Sequence, residues 1–263
     1  MVPYTELIGT AAGVLDTVCA IHHTRFVSSV TVHASGGWQQ VSGRRWLRAT
    51  SNVLFGLALG LVAYYGLTAL LGALAQWELE DEVVAVGAYT SEAPEVLLEV
   101  EDPGPMLDFT GWAEQDEPHW RALEPGAVFA RIVIPAIKLD ALVVNGVSTG
   151  DLRRGPGWID WTDLPGPTGT CGISGHRTTY GAPFARIGEL KPGDTIDVYS
   201  PYRRYRYEVT RSLVVPPQQT EVVDSTEHPS LTLTACHPPY SAQYRLAVQA
   251  DLVEVQRVTN DDR

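Results

Sequence analysis

The run VLFGLALGLVAYYGLTALLGAL, residues 53–74, carries no charge over its whole length. At a rise of 1.5 Å per residue it makes roughly 33 Å of helix, enough to cross a hydrocarbon core, and we expect a transmembrane helix over residues 51–76. A secretory signal peptide is the rival reading, but its apolar region is shorter and ends at a small-residue cleavage site. Arg44, Arg45 and Arg48 precede the run, whereas Glu78, Glu80, Asp81 and Glu82 follow it. The positive-inside rule then puts residues 1–50 in the cytoplasm as a poorly ordered segment and everything after Trp77 outside the cell, in a single-pass membrane protein. Gly56 and Gly60 form a GxxxG pair able to pack two such helices, although glycine is common in membrane helices without that role.

The net charge of -12 is local in origin. Between Trp77 and Pro125, fourteen acids are opposed only by Arg121, so the rest of the chain is close to neutral. Nucleic-acid binding, which needs a basic patch, is set aside. Like charges and interspersed prolines make residues 77–125 an expected extracellular linker. The three cysteines, Cys19, Cys171 and Cys236, show no CxxC and no metal-ligand cadence, so neither a disulfide scaffold nor a metal site is expected.

From about residue 126 the texture changes to short apolar runs separated by glycine and proline turns: FARIVIPAIKLDALVV, GTCGISG, DTIDVYS, RYRYEVTRSLVV, LTLTAC and YRLAVQADLVEV. This predicts an all-β barrel or sandwich over residues 126–258, with a short tail at 259–263 and a helical turn in GAPFARIGEL. In LTLTACHPP, strand alternation puts Leu231, Leu233 and Ala235 on one face and Thr232, Thr234 and Cys236 on the other, and the two prolines end the strand. The next strand starts near Tyr244, so antiparallel pairing brings Arg245 beside Cys236. An unperturbed thiol titrates near ~8.5, and a guanidinium beside it favours the thiolate and can hold an oxyanion. His176 follows a short strand and a glycine, and imidazole can give or take a proton near neutrality. Cys171 falls on the opposite face of that strand and is expected in the core. The competing reading is a buried Cys236 with His176 and Arg245 on unrelated surfaces. His237 is a further candidate partner of the thiol, disfavoured because neighbouring strand residues face opposite ways.

Three blocks carry a resemblance: ARIVIPAIKLDALVVNGVSTGDLRRGPG at 130–157, ISGHRTTYGAPFARIGELKPGD at 173–194 and TLTACHPPYSAQYRL at 232–246. Together they resemble the sortases, cysteine transpeptidases of Gram-positive envelopes, and most closely class E. The resemblance implies an eight-stranded sortase-type β-barrel with short helical turns, preceded by the transmembrane helix and the acidic linker. It implies Cys236 as nucleophile, His176 as general acid and base, and Arg245 as stabiliser of transition state and substrate, with no cofactor. The implied partners are exported proteins with a C-terminal sorting signal of the LAxTG kind, cleaved between Thr and Gly, and a cell-wall amine or peptidoglycan precursor as acceptor. The family's TLxTC motif reads TLTAC here, and Ala235 is expected to alter the wall receiving the signal; Tyr180 is a second expected substrate contact. A sortase-fold peptidase that releases its acyl-enzyme to water and a non-catalytic envelope-binding module are the alternatives.

Overall fold

A computed structural model describes residues 43–86 and 107–258. The described residues open with helix α1, Gly43–Val86, whose middle is the apolar run. The segment from Leu54 onward forms one compact unit. Within it follow α2 (Trp112–Arg121), β1 (Val128–Ile134), β2 (Leu139–Asn145), α3 (Thr149–Arg154), β3 (Gly157–Trp158), β4 (Thr170–Ser174), β5 (Thr195–Tyr199), β6 (Arg203–Val215), β7 (Ser230–His237) and β8 (Tyr244–Arg257). The eight strands close into a barrel in the order β1-β2-β3-β4-β7-β8-β6-β5.

The sequence reasons for these elements are local. FARIVIPAIKLDALVV is two strands because Pro135 opens a 3-10 turn, Pro135–Ile137, and Lys138 adopts a left-handed φ of 55°, reversing the chain into an antiparallel pair. Ser148 and Asp151 form a reciprocal capping box at the start of α3. The expected helical turn in GAPFARIGEL is a 3-10 turn, Ile187–Glu189. Inward residues of the strands build one core, including Phe129, Ile132, Ile173, Ile196, Tyr205, Leu231, Leu233 and Val248. Closure leaves no long open strand edge except where pairing is short, and β3, only two residues long, was not among the expected strands.

Residues 77–125 depart from the expected linker at both ends. Helix α1 runs on to Val86, and α2 packs its Trp120 into the barrel core, where the indole Nε1 donates to the Phe129 carbonyl at 2.8 Å. Asp116 is fully buried and paired with the equally buried Arg203, whose guanidinium also donates to the Thr110 carbonyl. An acid counted with the repelling charges is therefore neutralised by a partner far along the chain. Residues 87–106 lie outside the described residues, as do 1–42 and 259–263.

Candidate active site

Strand β4 runs parallel to β7, and their last paired residues are Ser174 and Thr234. Two positions beyond this pair stand His176 on one chain segment and Cys236 on the other, so the imidazole and the thiol leave the same end of the barrel. Strand β8 runs antiparallel to β7 with Cys236 directly opposite Arg245. Three residues from separate sequence blocks thus meet at one end of three neighbouring strands, a few ångströms apart per strand step.

The loop carrying His176 is shaped by packing. A Cβ on Gly175 would come within 2.6 Å of the Phe184 ring, so only glycine lets the chain pass over this buried aromatic. The Phe184 amide then donates to the His176 carbonyl at 3.0 Å, closing the loop. The His176 ring is half-buried, lies 5.2 Å from the Tyr180 ring, and its Nε2 makes no hydrogen bond among the described residues. Burial holds the imidazole below its ordinary pKa, and the Arg153 cation pushes it the same way. Arg153 itself lies over the Tyr180 ring, 5.5 Å from its centroid.

Cys236 is partly accessible and unpaired with any other cysteine among the described residues. Arg245 donates through Nη1 to the carbonyls of Ala242 and Tyr244, both at 3.1 Å, which tethers the guanidinium on the loop joining β7 to β8. Cys171 is buried in the core, where desolvation drives its thiol far above the thiolate range.

One expectation changes here. Ala235 is 2% exposed and belongs to the barrel core, because alternation along β7 turns it inward when Cys236 turns outward. It does not line the groove. His237 is held by Arg177, whose Nη1 lies 2.8 Å from His237 Nδ1 and donates to the Cys236 carbonyl at 3.3 Å. Arg177 escaped sequence reading because alternation arguments stop where β4 stops, at Ser174; its place beside His176 was the available signal. A wide cleft lined by Trp112, Trp158, Asp160 and Trp161 opens elsewhere and includes neither Cys236 nor His176.

The barrel is similar to known proteins. Residues 132–253 match the Sortase domain family. Sortase SrtE1 of Streptomyces coelicolor is 30% identical over 149 residues, 51% of this chain and 42% of that protein. Sortase D of Bacillus subtilis is 31% identical over 116 residues, 44% of this chain and 57% of that protein. The chain thus spans about half the length of these curated relatives. Sortase C of Clostridium perfringens shares the fold, with a TM-score of 0.50 at 22% identity over 56% of this chain and 87% of that one. Streptomyces coelicolor SrtE2 also matches, at 29% identity over 59% of this chain and 66% of that protein. The barrel is thus a sortase domain, with Streptomyces class E sortases among the proteins it resembles.

Proposed function

We propose that the chain is a membrane-anchored cysteine transpeptidase that cleaves a sorting signal of the LAxTG kind between Thr and Gly and joins the upstream protein to a cell-wall amine. The observation that carries this reading is the register: Cys236 opposite Arg245, and His176 and Cys236 equally displaced from the Ser174–Thr234 pair.

In the first half-reaction His176 takes the Cys236 thiol proton, the sulfur attacks the threonine carbonyl carbon, and the carbonyl electrons move onto oxygen. Arg245 faces that oxyanion with those N–H groups of its planar fork that the Ala242 and Tyr244 carbonyls do not engage. Collapse breaks the C–N bond, His176 gives its proton to the departing glycine amine, and a thioester remains. An incoming amine then attacks the thioester, His176 takes its proton, and the thiolate leaves. The same imidazole serves both halves, giving a proton to the departing amine in the first and taking one from the incoming amine in the second. The arginines before the apolar run and the acids after it support a cytoplasmic N-terminus and an extracellular barrel.

Incubating the protein with a fluorogenic LAxTG peptide tests the reading. We expect cleavage by the parent and none by Cys236→Ala, with a ligated product when a glycine-like or diaminopimelate-like amine is added. Cleavage without ligation would identify a peptidase, and a parent that cleaves nothing would identify a binding module.

A further inference from the structure

Helix α1 has 44 residues, about 66 Å of helix, more than twice a hydrocarbon core of ~30 Å. More than half of it must lie outside the hydrocarbon core, and burial shows which part. From Trp46 to Tyr64 every residue is exposed. From Tyr65 a stripe of covered positions begins, Tyr65, Thr68, Gly72, Gln76, Leu79 and Val83, at the spacing of one helix face.

What covers this face is the barrel. Gln76 uses its whole side-chain amide on the open edge of β2: Oε1 accepts from the Leu142 amide at 2.9 Å, and Nε2 donates to the carbonyls of Leu142 at 3.3 Å and Arg154 at 2.7 Å. Leu79 and Val83 pack with Val128, Leu142 and Val144. Gly72 lies so close to the Tyr180 backbone that a Cβ there would meet its carbonyl carbon at 2.5 Å. The Tyr65 ring stands edge-on to Tyr240, centroids 6.0 Å apart. Tyr180 follows His176 and Tyr240 follows Cys236, so both loops at the catalytic end touch the helix within its apolar run, whose other side stays exposed as far as Leu74.

We propose that the docked helix holds the catalytic end of the barrel against the headgroup layer of the outer leaflet, with the β7–β8 loop as the membrane-contacting surface. The partner is the bilayer because the contact continues a membrane helix. Tyr64 and Tyr65 stand on the helix where the barrel begins to cover it, the kind of aromatic pair that sits at a membrane interface. Tyr240, 77% exposed, and Tyr244, 38% exposed, extend this aromatic group onto the barrel. Leu67 and Leu70, exposed on the side of α1 turned from the barrel, then meet lipid instead of water. The outer end of the spanning stretch accordingly lies near Tyr65 on the side covered by the barrel, while the other side stays apolar and exposed as far as Leu74. This placement rests on the transpeptidase reading for its meaning: a sorting signal would be taken at the membrane surface, beside the helix that still anchors its protein.

The full chain with Cys19→Ser and Cys236→Ala, carrying an environment-sensitive fluorophore at Gln243→Cys, tests this in phosphatidylcholine–phosphatidylglycerol vesicles containing a shallow spin-labelled lipid. We expect blue-shifted emission quenched about two-fold or more, as for a group seated in the headgroup layer, and no quenching of the same probe at Asp160→Cys on the turn after β3. Undocking by Gln76→Ala with Leu79→Asp, or separately by Gly72→Leu, should abolish quenching at position 243. Equal quenching at both probe sites, or quenching that survives both undocking changes, overturns the proposal. Emission that follows the protein-to-lipid ratio would put a second copy of the chain on this loop and also overturns it. The readout needs no turnover, so a parent unable to cleave LAxTG peptide would end the transpeptidase reading and leave this result to stand or fall by itself.

Discussion

The chemistry of the site turns on how three side chains are held. Arg245 lies opposite Cys236 across one strand step, and its value lies in a planar fork of donors that an ammonium cannot copy. Arg245→Lys should therefore lower kcat/KM for peptide cleavage by about 100-fold, the usual cost of losing an oxyanion donor, although the charge is kept. Near-parental activity would mean that charge alone suffices. His176 is held below its ordinary pKa by burial first and by Arg153 second. Removing that cation makes protonation easier, so Arg153→Gln should raise the His176 pKa and move the imidazole-dependent limb of the pH profile to higher pH. Imidazole NMR titration in the Cys236→Ala background checks the direction without relying on turnover.

Single elements depend on contacts made far along the chain. Helix α2 is anchored by Trp120 in the core and by the buried Asp116–Arg203 pair. Breaking a buried pair by removing one partner leaves an uncompensated charge, so Asp116→Ala should cost about 3–5 kcal/mol in urea unfolding of the barrel. Asp116→Leu combined with Arg203→Met should recover most of that loss, because both charges then go together. The loop after β4 depends on Gly175 in a different way. A methyl group there meets the Phe184 ring at 2.6 Å, and neither this ring nor the backbone has room to retreat. Gly175→Ala should lower stability by roughly 1–3 kcal/mol, the cost of overpacking, and displace His176. Thermal melts report the first effect and peptide cleavage the second.

Across the whole molecule, orientation and docking decide where the site works. If the arginines before the apolar run stay in the cytoplasm, a membrane-impermeant thiol reagent on intact cells will label the chain through Asp160→Cys and leave Cys19 untouched. Labelling of Cys19 alone would reverse the topology. The helix that is long and apolar enough to cross a membrane also pairs with the edge of β2 through Gln76, so its part from Leu54 onward belongs to one compact unit with the barrel.

Much of this could be read from residue order. The apolar run, the charge on either side of it, the β texture, the outward face of Cys236 and its pairing with Arg245 depend on helical rise, strand alternation and turn residues, all of which act over a few neighbours. The inward turn of Ala235 follows from the same alternation that sends Cys236 outward, so strand geometry and not the TLxTC resemblance fixes its place. Other features needed the folded chain because they join groups separated by dozens of residues: Asp116 with Arg203, Arg177 with His237, Gln76 with the edge of β2, and Tyr65 with Tyr240. Composition marks residues 77–125 as repelling acids, yet a single buried arginine and one tryptophan in the core are enough to fold their C-terminal end onto the barrel. Local rules set which face each side chain shows; only tertiary closure decides what that face meets.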